Sequence, residues 1–131
     1  MDVKKILLAE YDAFLINIYA GELRKSGYNI SIALDGEGAI NRVKSINPDL
    51  LILDASLPGT KECPDGFSVL KRLREDEAFK ELKVVMLSNY TKEDNPENTS
   101  KSILDFGVIK NFAKAEFTAE EIVDEVKRIL S

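Results

Sequence analysis

The chain has 131 residues, of which 44% are hydrophobic, so it is long enough for one domain with a single core. Its 18 basic and 23 acidic residues give a formal charge of -5, which argues against a nucleic acid or an anionic membrane as a partner. Histidine is absent, which excludes Ser-His-Asp and Cys-His catalysis, histidine-containing zinc sites and phosphohistidine chemistry on this chain.

The first strand and helix are predicted within residues 6–26. An apolar run begins at Ile6, and a helical period follows it. Asp12 can accept hydrogen bonds from the first helical turn, and Gly27 can end the helix. The apolar face of this helix is expected to contain Phe14, Leu15, Ile18, Tyr19 and Leu23.

A second strand and helix follow directly. Alternation of Ile30, Ile32 and Leu34 predicts the strand, and Asp35 with Gly36 predicts the turn into the helix. The helix carries apolar residues at helical spacing and is expected to stop before Pro48. Those apolar residues are Ala39, Ile40, Val43 and Ile46.

The third predicted strand is the most apolar and ends in an acid. Residues 50–53 are all Leu or Ile, Asp54 follows them, and a turn runs from Ser56 to Gly59. A short continuous apolar run indicates a strand that is covered on both faces, as in a parallel sheet. Asp54 is therefore expected at the carboxyl edge of the sheet, where ligands bind in open α/β folds.

The remaining elements complete the alternation. The pattern predicts a third helix with Phe67, Val69, Leu70 and Leu73, and then a strand over residues 84–87 that ends at Ser88. A weaker strand with Val108, Ile109, Phe112 and Ala113 follows and reaches Lys114. The last element is an amphipathic helix that begins with a Thr118–Glu121 capping box. The basic residues Lys71, Arg72 and Arg74 are expected to form a solvated helix face. Residues 92–102 hold no apolar side chain, so the first turns of a helix there are predicted to be mobile.

Five strand–helix units of this length predict an α/β fold with a doubly wound five-stranded parallel sheet and helices on both faces. Glu10, Asp54, Ser88 and Lys114 each follow an apolar run, so their side chains are expected to meet at one edge. Two carboxylates ~4 Å apart repel by roughly 4 kcal/mol at an effective dielectric near 20, which favours a bound cation or a raised pKa. Mg²⁺ suits such oxygen ligands, and an aspartate in this setting can form an aspartyl phosphate.

With these residues in place, the chain resembles the receiver domain of two-component response regulators over essentially its whole length. The sharpest matches are residues 48–54 with Leu57-Pro58-Gly59, Asp65-Gly66-Phe67 and residues 84–88. The resemblance implies a flavodoxin-like (βα)5 fold with strand order 2-1-3-4-5. It also implies Asp54 as phosphoacceptor, Ser88 and Lys114 as the groups that contact the phosphoryl oxygens, and Glu10, Asp54 and the backbone carbonyl of Ser56 as Mg²⁺ ligands.

The same resemblance implies a phosphoryl donor, a sensor histidine kinase or phosphotransfer protein, and an unknown downstream protein partner. We expect a single receiver domain over residues 1–131 with no output domain, as a monomer or weak dimer that does not turn over substrate as an enzyme does. A cytoplasmic location is expected because there is no signal-peptide profile or membrane span and Cys63 is the only cysteine.

Several positions depart from the family pattern. Tyr11 stands where a second acid usually follows the first strand, and it is expected to be a pocket or core aromatic that weakens Mg²⁺ binding. Asn111 replaces the family's switch aromatic, Ala115 replaces a proline, and Asn89 replaces a smaller residue. The loop that begins at Thr60 and ends at Pro64 is longer than is usual in the family, and the resemblance implies that it overhangs the pocket.

Three functions therefore compete. The first is a Mg²⁺-dependent phosphoacceptor receiver. The second is a degenerate receiver, or pseudo-receiver, that acts as a phosphorylation-independent interaction module because Tyr11 replaces an acid. The third is a hydrolase or nucleotide-binding protein, which the sequence disfavours because it has no glycine-rich phosphate loop and has Ser56 where aspartate-nucleophile phosphatases need a second acid.

Overall fold

The computed structural model of the chain describes residues 3–89 and 105–131. In these residues the strands are β1 (Lys5–Ala9), β2 (Asn29–Ala33), β3 (Leu50–Asp54), β4 (Val84–Ser88) and β5 (Lys110–Ala113). The α-helices are α1 (Ala13–Lys25), α2 (Gly36–Ile46), α3 (Gly66–Glu75) and α4 (Ala119–Leu130), and one 3-10 turn spans Glu77–Phe79. The helix expected near residues 92–102 lies outside the described residues.

The strands form one parallel sheet in the order β2-β1-β3-β4-β5. The predicted fold and strand order are thereby confirmed. The central strand β3 is buried along its whole length, as its unbroken apolar run indicates. None of the described helices is long and apolar enough to cross a membrane.

Two hydrophobic cores lie on opposite faces of the sheet. One packs α2 and α3 against strand residues that include Leu7, Leu51, Leu53, Val84 and Met86. The other packs α1 and α4 against Ile6, Leu8, Leu50, Ile52, Val85, Leu87 and Phe112. Successive strand residues point to opposite faces, which is why neighbours such as Leu7 and Leu8 belong to different cores.

The helix ends follow the predicted capping residues. Asp12 accepts hydrogen bonds from the main-chain N–H groups of Phe14 (2.9 Å) and Leu15 (3.1 Å), and Gly27 follows α1 with a φ of 93°. Thr118 and Glu121 form the reciprocal capping box of α4. These local interactions fix where each helix starts, and therefore where the preceding loop meets the edge of the sheet.

Three residues predicted to be apolar core positions are exposed instead. Phe14 is 72% exposed because it lies nine positions before the buried Leu23, which at ~100° per residue puts it on the opposite side of α1. Leu34 and Ile109 are also exposed, because β2 ends at Ala33 and β5 begins at Lys110. Both lie in loops beyond the part of the sheet that the helices cover.

Candidate functional site

Four predicted site residues lie together at the carboxyl edge of the sheet. Glu10 follows β1, while Asp54 and Ser88 are the last residues of β3 and β4. Lys114 follows β5, and its main-chain N–H donates to the carbonyl of Ser88 at 2.7 Å. Glu10, Asp54 and Ser88 are all buried, so this edge of the sheet holds a buried polar cluster, called the pocket below.

The ammonium of Lys114 lies between the two acids. Its Nζ is 2.9 Å from Glu10 Oε2 and 3.4 Å from Asp54 Oδ1, and the Lys114 side chain is only 13% exposed. The cation thus partly neutralises two carboxylates that would otherwise repel each other in a buried site. It lies closer to Glu10 than to Asp54.

Glu10 is held by its own loop. Oε1 accepts hydrogen bonds from the main-chain N–H groups of Tyr11 (3.1 Å) and Asp12 (3.3 Å). Oε2 is buried and receives no hydrogen bond of good geometry from the described residues, although Lys114 forms the ion pair with it. Burial raises the pKa of Glu10; the contact with Lys114 opposes this shift, and the charge of Asp54 adds to it.

Asp54 is positioned by the turn that follows β3. Its Oδ1 accepts a hydrogen bond from the main-chain N–H of Ser56 at 3.0 Å. The start of α3 packs on the same main chain, because a Cβ placed on Gly66 would lie 2.1 Å from the carbonyl oxygen of Asp54. The Asp65-Gly66 pair thus has two local functions: Asp65 caps α3, and Gly66 permits a close approach to the strand end.

The two residues after Glu10 do not supply a second acid to the site. Tyr11 is 61% exposed, so the expectation of a core aromatic is wrong; its main-chain N–H donates to Glu10 Oε1. The Asp12 carboxylate caps α1, as its position before the helix predicts. Within residues 3–89 and 105–131, no group of three or more acidic or cysteine side chains is arranged to hold a metal ion.

Tyr19 of α1 is a neighbour of the pocket that the sequence pattern placed only in the core. It is buried, and burial, together with the nearby charges of Glu10, Asp54 and Asp12, raises the pKa of its phenol to about 12. No spacing in the sequence indicates this proximity, because α1 and the strand ends meet only in the folded chain. The phenol stays protonated at neutral pH.

Arg74 occupies a different environment from the solvated helix face that the sequence predicts. It was expected on a solvated face, but its guanidinium donates to the carbonyls of Phe106 and Phe79, and burial lowers its pKa. Lys71 and Arg72 are exposed as expected.

Cys63 is buried and unpaired. Asn111 lies in β5 and its Oδ1 is buried without a hydrogen bond from the described residues.

A sequence model of the response regulator receiver domain matches residues 6–127. The chain belongs to this family. Sporulation initiation phosphotransferase F of Bacillus subtilis (strain 168) is 31% identical over 128 residues, which cover 97% of the chain and 94% of that protein. The receiver is thus similar over nearly its full length to a protein named as a phosphotransferase of sporulation.

Other curated relatives are much longer than this receiver. The alkaline phosphatase synthesis transcriptional regulatory protein PhoP of Bacillus subtilis (strain 168) is 36% identical over 72 residues, which cover 55% of the chain and 28% of that protein. The hybrid signal transduction histidine kinase D of Dictyostelium discoideum is 29% identical over 128 residues, 98% of the chain but 8% of that protein. In both, the similarity concerns a part of the relative.

Solved structures give the same fold. A putative response regulator from Chloroflexus aurantiacus J-10-fl is 28% identical with a TM-score of 0.81, and each chain covers 98% of the other. The receiver domain of the sensor histidine kinase PA1611 from Pseudomonas aeruginosa PAO1 is 25% identical with a TM-score of 0.78; the match covers 98% of this receiver and 95% of that chain. That structure holds a magnesium ion in its active-site cleft.

Proposed function

We propose that this receiver accepts a phosphoryl group on Asp54 from a sensor histidine kinase or a phosphotransfer protein and signals through a downstream protein partner. The observation that carries the proposal is the position of Lys114 Nζ, 2.9 Å from Glu10 and 3.4 Å from Asp54. A buried cation shared by two strand-end carboxylates is suited to a site where phosphoryl charge must be stabilised. No multiple-turnover reaction is assigned to the chain.

In this proposal, Asp54 is the nucleophile. One oxygen of its carboxylate, Oδ1, is fixed by Ser56 and Lys114, so the group has a defined orientation before any donor arrives. Its other oxygen attacks phosphorus, and the bond between phosphorus and the donor's leaving group breaks. Lys114 and the hydroxyl of Ser88 then bind the oxygens of the transferred group.

Mg²⁺ is the cofactor that the donor set fits. Glu10, Asp54 and the main-chain carbonyl of Ser56 supply only oxygen, and Glu10 Oε2 is a buried acceptor without a well-aligned donor among the described residues. A bound Mg²⁺ neutralises negative charge on the phosphoryl oxygens. Two carboxylates rather than three predict modest affinity, and Lys114 must shift from Oε2 for that oxygen to become a ligand.

A specific observation also supports the pseudo-receiver alternative. Asp12 is engaged in capping α1, Tyr11 presents no acid, and the ammonium of Lys114 already balances Glu10. A pocket whose negative charge is partly neutralised by its own lysine attracts a divalent cation less strongly. Under this alternative the receiver binds its partner in one state, independently of phosphorylation.

Intact-mass spectrometry separates these two functions. The receiver is incubated with acetyl phosphate and Mg²⁺, in parallel with Asp54→Asn and with the control Asp124→Asn, which changes an exposed aspartate of α4. The phosphoacceptor function predicts one Mg²⁺-dependent phosphoryl adduct that is retained in the control and lost in Asp54→Asn. Absence of an adduct, together with no Mg²⁺ or beryllium fluoride binding at millimolar concentration, supports the pseudo-receiver.

A further inference from the structure

A surface cavity of about 340 Å³ lies between the start of α2 and the loop that follows β3. Its lining residues are Leu34, Asp35, Glu37, Pro58, Gly59 and Thr60, and it is called the α2 groove below. Two of these residues are acidic and none is basic. The lining includes none of the four residues that meet in the pocket, so a ligand bound here would occupy a second place on the receiver.

The walls of the α2 groove are joined by hydrogen bonds. The N–H of Gly36 donates to the carbonyl of Pro58 at 2.8 Å, which holds the start of α2 against the loop after β3. In that loop, the N–H of Thr60 donates to the Cys63 carbonyl at 3.1 Å, and the N–H of Cys63 donates to Thr60 Oγ1 at 3.1 Å. Because the Cys63 side chain is also buried in the core, the longer loop of this chain is a defined wall of the groove.

The α2 groove exposes two apolar side chains to solvent. Leu34 is 58% exposed, and Pro58 is exposed as well. A single exposed leucine is ordinary on a protein surface, but here the leucine and the proline line the same cavity. An aliphatic side chain placed between them would remove apolar surface from water on both partners, which is the main favourable contribution to protein association.

The charges at the groove favour a cation of the partner. Glu37 lies exposed in the first turn of α2. The Asp35 carboxylate accepts the N–H of Gly38 at 2.7 Å and offsets the positive end of the helix dipole, so an anion gains little there. Over residues 3–89 and 105–131, no basic side chain forms an ion pair with either acid, and neither acid belongs to a cluster that could hold a metal ion.

We propose that the α2 groove binds a short segment of a partner protein in which an aliphatic side chain and an arginine or lysine side chain lie on the same face. The aliphatic side chain packs between Leu34 and Pro58, and the cation lies beside Glu37 and Asp35. The cavity is at the small end of the ~300–1,000 Å³ range of ligand pockets, which suits an anchor of one or two side chains. This binding involves no group of the pocket and does not depend on phosphorylation of Asp54.

A second copy of the receiver fits the α2 groove less well than a partner with a basic residue. In a two-fold dimer the same surface patch meets itself, so Asp35 and Glu37 of one copy would face the same acids of the other. Like charges in such a contact repel. A basic side chain beside an aliphatic one satisfies both the apolar and the acidic parts of the groove.

The experiment is an amide chemical-shift titration of the ¹⁵N-labelled receiver with three blocked pentapeptides. The first probe is acetyl-Gly-Leu-Ser-Arg-Gly-amide; in an extended peptide, residues two apart point to the same side, so its leucine and arginine face the receiver together. The second probe has glutamate in place of the arginine, and the third has serine in place of the leucine. Analytical ultracentrifugation of the receiver without peptide tests for a dimer.

Two variants with matched controls test the two halves of the groove. Leu34→Ser removes the apolar surface, and Ile109→Ser is its control, because Ile109 is also an exposed loop residue next to a strand. Glu37→Gln removes the charge. Its control is Glu120→Gln, an exposed acid in the first turn of α4, which packs on the opposite face of the sheet.

The first probe is expected to shift the amides of residues 34–38 and 58–60, and to bind more tightly than the other two probes. Leu34→Ser should weaken its binding about threefold to tenfold, because part of the buried apolar area is lost. Glu37→Gln should weaken it about twofold to fivefold at low salt and less at high salt. Both controls should bind as the unsubstituted chain does.

Three outcomes would overturn the inference. The first is the absence of localised shifts with the first probe at ~10 mM, well above the concentrations at which weak peptide ligands bind. The second is an equal response to the probe with glutamate, which would mean that the acids of the groove do not select the ligand. The third is a concentration-dependent dimer that Leu34→Ser abolishes, which would assign the groove to a second copy of the chain. None of these outcomes affects the test of phosphoryl transfer to Asp54.

Discussion

The guanidinium of Arg74 in α3 donates from Nε to the main-chain carbonyl of Phe106 at 2.7 Å, across 32 residues of sequence. The same group donates from Nη1 to the carbonyl of Phe79 at 2.8 Å. Arg74 thus ties α3 and the 3-10 turn to the segment that leads into β5. Because β5 delivers Lys114 to the pocket, this contact supports the site from the opposite end of the strand.

Arg74→Ala should therefore lower the free energy of unfolding by about 2 kcal/mol, because two partly buried carbonyls lose a charged donor. Urea denaturation measures the change. Arg72→Ala is the control, since Arg72 is exposed on the same helix, and it should alter stability by less than about 0.5 kcal/mol. Equal losses in the two variants would show that the contacts of Arg74 contribute nothing beyond its helix position.

The packing of Gly66 against the end of β3 gives a second prediction. Gly66→Ala would place a Cβ 2.1 Å from the carbonyl oxygen of Asp54, so main chain must move at the site itself. We expect a loss of about 1–3 kcal/mol in the free energy of unfolding, measured by urea denaturation. We also expect less phosphoryl adduct on Asp54 after incubation with acetyl phosphate and Mg²⁺. Gly21→Ala in α1 is the control, because no atom lies within 4 Å of its added Cβ, and alanine should stabilise that helix by up to ~1 kcal/mol.

Glu10 gives a prediction about pH. Burial raises its pKa above the ordinary value of 4.5, so the unfolded chain releases this proton at lower pH than the folded chain does. The contribution of Glu10 to the free energy of unfolding therefore falls as pH rises above 4.5, and it becomes constant once the pH exceeds the raised pKa. Glu10→Gln removes that loss, so the variant should be more stable than the unsubstituted chain at pH 7, with little difference at pH 4.

Urea denaturation at the two pH values, without divalent cations, measures the difference. Glu62→Gln, in the exposed loop before Pro64, is the control and should show no such pH-dependent gain. A Glu10→Gln variant that is less stable at pH 7 would mean that the ion pair with Lys114 outweighs the cost of burying the Glu10 carboxylate.

Much of the site was accessible from the sequence because parallel strands share one carboxyl edge. The apolar run before Asp54 predicts β3, and the similar run before Ser88 predicts β4, so their last residues meet for topological reasons. Glu10 and Lys114 follow by the same argument. The capping role of Asp12 was also predictable, since capping depends on residues within one turn.

The contacts that the sequence did not reveal join residues that are distant in the chain. Arg74 contacts Phe106, and Asn89 contacts Ser56, through side-chain geometry that no periodicity encodes. Phe14 was misplaced for a different reason: it is apolar, but its angular position on α1 is opposite to the buried face. Hydrophobic spacing predicts that a helix forms better than it predicts which apolar residues of its first turn face the core.

The position of Tyr11 gives the last prediction, on Mg²⁺ affinity. Tyr11→Asp adds a carboxylate directly after Glu10 at an exposed position, so the substitution costs little packing energy. A carboxylate beside Glu10 that does not cap the helix, as Asp12 does, increases the attraction for a divalent cation, and we expect Mg²⁺ to bind about tenfold more tightly by isothermal titration calorimetry. Tyr11→Asn is the matched control, since it has the same size as Asp without the charge. If the Asp and Asn variants bind Mg²⁺ equally, the missing acid does not limit the Mg²⁺ affinity of this pocket. The ion pair between Lys114 and Glu10, which competes with Mg²⁺ for the Glu10 carboxylate, is then the cause of weak binding.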